Sequence, residues 1–277
     1  MNLLKGLRIC LLLLIGLFVA PGISFASGYV SASISSGPQN YIENISSFYL
    51  DVFDYLTIGT EATFFDKKDS DFSQIYLLEA IISPNKAIEF DVGLTFSPQS
   101  NNMKSNSFFG GINYIIYRSD ANAEGKAGYS TTVGVAGEVK DTYRKVASEW
   151  RKLDQNSISL SLKQTFLTDY FFRLGYTIYS YGYETIGAEI IGRRFITGLP
   201  SNMFSATLGA YLLNRLTLDL TYSTTAFKLN QPRESSYAIG LDYALLQNIG
   251  INLGYTLYSY TDKKDSYYTG GITYYFK

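Results

Sequence analysis

Apolar and polar residues alternate with a period of two along almost the whole chain, and that pattern limits it to strands. The closing stretch TGGITYYFK shows it plainly. Tyr268, Gly270, Ile272, Tyr274 and Phe276 share one face, and Thr269, Gly271, Thr273 and Tyr275 share the other. The same alternation sets Ile88, Phe90, Val92 and Leu94 against Glu89, Asp91, Gly93 and Thr95. Further on, Leu216, Leu218 and Leu220 oppose Thr217, Asp219 and Thr221, and Ile249, Ile251 and Leu253 oppose Gly250 and Asn252. Every such segment has one apolar face and one polar face, so the apolar faces need a common environment.

A soluble β-sandwich meets that need by turning its apolar faces inward, and its outer faces carry Lys and Glu. Here the polar faces are rich in Gly, Ser and Thr, as a crowded aqueous interior requires. Aromatic residues such as Tyr222, Tyr255, Tyr268 and Phe276 lie near segment ends, where the girdles of a membrane barrel sit. The chain holds 25 Tyr and 18 Phe against one Trp, and only 17% of its residues are charged, well below the usual quarter. Mean hydropathy is nevertheless +0.01, because alternation cancels it. These features predict an all-β, transmembrane antiparallel up-and-down barrel.

Residues 1–26 have the layout of a secretory leader. Lys5 and Arg8 precede an apolar run from Leu11 to Ala20, Pro21 and Gly22 break it, and Ser24-Phe25-Ala26 offers small residues to a signal peptidase. The run is short for a spanning helix, and no second one follows. The expected organisation is a cleaved signal peptide over 1–26 and one barrel domain over 27–277, exported by the Sec route to the outer membrane. Cys10 leaves with the leader. Loss of Lys5 and Arg8 takes the net charge from −1 to −3, which is no footprint for nucleic acid.

Short connections at 54–55, 83–86, 168–169, 213–215 and 246–248 alternate with longer polar ones at 37–44, 66–70, 98–105, 141–155, 184–202, 230–234 and 262–265. A longer segment at 118–125 falls on the short side. Tight periplasmic turns and longer outer loops give this rhythm. It predicts about fourteen strands, with both chain ends on the periplasmic side and the last strand closing against the first. Twelve or sixteen strands also fit, depending on the first pair and on whether EIIGRRFITG within 184–202 holds a hairpin.

With Thr269, Gly271, Tyr274 and Phe276 in that order, the C-terminus resembles the targeting signal of bacterial outer-membrane proteins, extended by Lys277. In size and strand count the chain resembles the monomeric fourteen-stranded porins. The resemblance implies a passive channel, recognition of the last strand by the barrel assembly machinery, and a monomer among outer-membrane lipids and lipopolysaccharide.

Catalysis is not expected. The chain has no His and, after leader removal, no Cys, so the ordinary general bases and thiol nucleophiles are missing. No cofactor or metal site is expected. The inward residues three to five positions from each periplasmic turn are the informative ones. They are Asp51, Glu79, Glu89, Asp91, Asn113, Lys163, Arg173, Asp219, Asp242 and Asn252. They are expected to form a pore-lining belt with one basic wall and two acidic arcs, which favours cations. The alternative function is a structural, adhesion or export-accessory barrel whose lumen is filled by side-chain pairing. Basic doublets at 67–68, 144–145, 151–152, 193–194 and 263–264 are expected in outer loops beside acids, with Trp150 as a loop anchor or short helical cap.

Overall fold

A computed structural model describes residues 27–66, 73–100, 103–119, 128–146, 148–167, 169–182, 199–212, 215–228, 232–261 and 263–276. The leader, Lys67-Lys68, Arg193-Arg194, the 184–198 stretch, most of 118–125 and Lys277 lie outside the described residues.

Fourteen strands run in chain order: β1 (Ser27–Gly37), β2 (Tyr41–Phe53), β3 (Leu56–Asp66), β4 (Ser73–Asn85), β5 (Ile88–Ser100), β6 (Met103–Ser119) and β7 (Tyr129–Val146), then β8 (Glu149–Phe166), β9 (Tyr170–Tyr181), β10 (Pro200–Leu212), β11 (Leu216–Phe227), β12 (Glu234–Ala244), β13 (Ile249–Tyr260) and β14 (Lys263–Phe276). Each pairs antiparallel with its chain neighbours, and β1 pairs with β14 from Gly28↔Phe276 to Ser36↔Tyr268. The sheet is a closed barrel, and closure removes every edge. The strands tilt. One row of facing partners starts at Asp51, beside the β2–β3 turn, and climbs through Asp91, Gly111, Ser159 and Met203 to Tyr260 and Lys263 at the opposite rim.

The two faces separate as the alternation requires. Phe108, Val139, Ile158, Leu208, Leu220 and Tyr268 are all exposed on the outside, Phe108 and Ile158 at 61%. Inside, hydroxyls pair across neighbouring strands: Thr95 with Ser107 at 2.6 Å, Ser159 with Thr177 at 2.9 Å, Thr207 with Thr221 at 2.9 Å and Ser223 with Ser236 at 2.7 Å. Cross-strand pairs of this kind contribute about 0.2–1 kcal/mol each. The apolar faces point out of the barrel.

The rim opposite the chain ends differs from expectation. The 37–44, 98–105 and 141–155 segments are mostly paired strand. Pro38-Gln39-Asn40 suffices to join β1 to β2, with Gln39 and Asn40 in the left-handed region (φ 57° and 56°). β7 and β8, of 18 residues each, pair as far as Val146↔Glu149, and Ser148 takes the positive φ (75°) at their turn. About 9–11 tilted residues suffice to cross a bilayer, so this hairpin is longer than a crossing requires. Trp150 belongs to β8 rather than to a loop or a helical cap, and the Lys104 ammonium lies 5.0 Å from its ring centroid. These residues are polar enough to be taken for loop, yet their ladder hydrogen bonds need no apolar face.

Lys152 reaches Asp141 at 3.0 Å and Asp154 at 2.8 Å on that hairpin. The hydrogen bonds to Asp154 and Asp141 hold the Lys152 ammonium above its ordinary pKa, and the bond from Lys152 holds Asp154 below its own. The cluster is solvent-exposed, so Lys152→Ala is expected to leave the urea-unfolding midpoint of the refolded barrel essentially unchanged.

Candidate channel lumen

All ten belt residues carry inward parity. Register irregularities fall at Asp51/Phe53, Ile82/Asn85, Ser97/Ser100, Ile115/Tyr117 and Pro200/Asn202. They sit near strand ends, so the alternation runs unbroken through the middle of each strand.

On the β2–β6 wall, Asp51 accepts hydrogen bonds from Ser27 and Thr57, the latter at 2.7 Å. Glu79 accepts one from the Tyr49 hydroxyl, and Glu89 one from Asn113 Nδ2 at 3.1 Å. Asp91 lies against Gly111, its register partner on β6. On the β11–β14 wall, Asp219 faces Gly240, Asp242 faces Asn252, and Asn252 faces Gly271. Lys163 and Arg173 face each other on β8 and β9. The register therefore arranges the ten as two acidic groups, on β2–β5 and β11–β12, and one basic pair on β8–β9, with Asn113 on β6 and Asn252 on β13.

The Asp91 and Asp219 side chains lie along the wall rather than across the bore, and a glycine on the neighbouring strand makes that possible. A Cβ on Gly111 would stand 2.5 Å from Asp91 Oδ1, and one on Gly240 would stand 3.0 Å from Asp219 Cγ. Each carboxylate occupies the space its neighbour's side chain would have filled. Two cavities open beside the belt at the end carrying Ser27 and Phe276. One, of about 550 Å³, is bounded by Lys86, Glu89, Asn113, Lys163 and Arg173. The other, of about 630 Å³, is bounded by Tyr211, Arg215, Asp242, Asn252 and Tyr275.

Sequence reasoning passed over three groups of lumen residues. More carboxylates (Glu43, Glu61, Glu138, Glu234 and Asp265) lie on inward faces further from the terminal end. Their signal was the same parity, but only one level of each strand was considered. A row of tyrosines crosses three strands, with Tyr29 facing both Tyr49 and Tyr275; the Tyr29 and Tyr49 rings stack at 4.7 Å. Near the opposite rim Tyr41, Tyr258 and Tyr267 pack into a buried cluster with Phe65. Glu43 and Thr63 are also buried there, at 3% and 1% exposure. This buried cluster thus lies between the belt and the rim opposite Ser27 and Phe276.

No protein-family model matches the sequence, and no curated protein does. Solved structures do match. The CymD monoaromatic hydrocarbon channel aligns with a TM-score of 0.54 and 10% identity, over 90% of this chain and 87% of that one. CdiB from Acinetobacter baumannii aligns at 0.51 and 9% identity, over 90% of this chain and 60% of that one. The KdgM porin in complex with disordered oligogalacturonate aligns at 0.47 and 10% identity, over 91% of this chain and all of that one. At such identities the likeness is one of fold, and it agrees with the register: the chain is a closed antiparallel β-barrel of fourteen strands.

Proposed function

We propose that the protein is a passive channel of the outer membrane for small polar solutes and ions, with a preference for cations. The observation that carries this is the acid-rich inward wall, with Asp91 and Asp219 lying back on Gly111 and Gly240, beside two cavities. Carboxylates outnumber Lys140, Lys163 and Arg173 on the inward faces between the rims. In a narrow aqueous bore such an excess concentrates cations and repels anions. The ends carrying Ser27 and Phe276 face the periplasm in this reading, after Sec export, and β14 is the strand the assembly machinery reads. The barrel works as a monomer among lipids, without cofactor or catalysis.

Neutralising one arc tests the charge preference. The double variant Asp219→Asn/Asp242→Asn is expected to lower the cation-to-anion permeability ratio about twofold, seen as a reversal potential closer to zero in a salt gradient. An unchanged ratio would remove this arc from the selectivity filter.

A second reading is a structural or partner barrel with a filled lumen. The packing of Tyr41, Tyr258, Tyr267 and Phe65 favours it. Tyr267→Ala separates the two: conductance rises if this cluster narrows a working pore, and stays absent if the lumen is closed at other levels.

A further inference from the structure

Lys163 and Arg173 form the anomaly of an acidic lumen. They stand directly opposite each other on adjacent strands, and like charges so placed destabilise a sheet. Among the described residues neither has an ion-pair partner. The Lys163 ammonium lies 5.4 Å from the Phe171 ring centroid, a contact that holds it in place without neutralising it. Both line the 550 Å³ cavity together with Glu89 and Asn113. Among the described residues Glu89 accepts one hydrogen bond, from Asn113 on Oε1, so its Oε2 is open to a donor.

From these features we propose that this cavity binds small zwitterionic solutes, compounds that carry a carboxylate and an ammonium on one short chain. The carboxylate sits between Lys163 and Arg173, whose fork suits planar anions, and the ammonium turns to Glu89. The surrounding acid excess selects against solutes that carry negative charge alone, and the basic pair selects against those carrying only positive charge. The site rests on the channel reading for its purpose, since a solute held here waits at the periplasmic mouth of the pore.

Three solutes of equal chain length separate the charges: 6-aminohexanoate, adipate and 1,6-diaminohexane. Calorimetry on the folded, detergent-solubilised chain should show 6-aminohexanoate binding about tenfold tighter than either of the others. Lys163→Gln and Arg173→Gln should each weaken it about tenfold, and Glu89→Gln should erase its advantage over adipate. Heat-modifiable migration on gels verifies that each variant is folded. The proposal is overturned if adipate or the diamine binds as tightly as the zwitterion, if the double Lys163→Gln/Arg173→Gln variant retains full affinity, or if none of the three binds. Planar-bilayer currents run in parallel keep the two ideas apart. Ion conductance without 6-aminohexanoate binding leaves the channel standing and the site refuted. Selective binding by a chain that never conducts leaves the site standing and the channel refuted.

Discussion

Lysine in place of Leu220 is expected to cost the folded barrel about 2–4 kcal/mol, whereas lysine in place of Thr221, one residue along, should cost less than about 1 kcal/mol. Leu220 is 50% exposed on the outer face near the middle of β11. A bilayer covers that exposed surface with hydrocarbon, and an ammonium there loses its hydration. Thr221 points into the lumen, shares a hydrogen bond of 2.9 Å with Thr207 and follows Asp219 on the same face. A lysine at that position keeps its water and gains a carboxylate neighbour, against the loss of one hydroxyl pair. Urea unfolding in lipid vesicles would measure both. Equal costs at the two positions would contradict the assignment of faces on which the lumen description depends.

The second large effect is expected at the glycine beneath Asp91. Gly111→Val places methyl groups where the Asp91 carboxylate lies, and a Cβ there would also stand 3.1 Å from the Ala136 Cβ. Such overpacking costs about 1–3 kcal/mol. It also drives the carboxylate off the wall, so single-channel conductance should fall. Adding Asp91→Ala empties the contested space. The double variant should regain about 1 kcal/mol or more relative to the sum of the single changes, together with conductance. If the two substitutions are additive, Gly111 does not make room for Asp91.

The fold was legible because barrel strands repeat a single rule fourteen times. Alternation identified the faces, and tight turns such as 54–55 and 246–248 fixed the order of the strands. Parity then placed Asp51, Glu79, Lys163, Asp219 and Asp242 inward together, since the register irregularities near the strand ends leave the middle of each strand in phase. What escaped was whatever the alternation does not encode. The far end of the β7–β8 hairpin has no apolar stripe, so Thr142, Asp141 and Lys152 were indistinguishable from loop residues. The Gly111–Asp91 and Gly240–Asp219 contacts depend on the stagger between strands, which follows from closure of the whole barrel. The Tyr41–Tyr258–Tyr267 cluster joins β2, β13 and β14, brought together only when β1 meets β14.

The most direct test of the account is the single-channel conductance of the refolded 27–277 chain in a planar bilayer with a salt gradient. Discrete, stable openings with a reversal potential of cationic sign are the predicted result. A heat-modifiable, correctly folded barrel that shows no openings would contradict it.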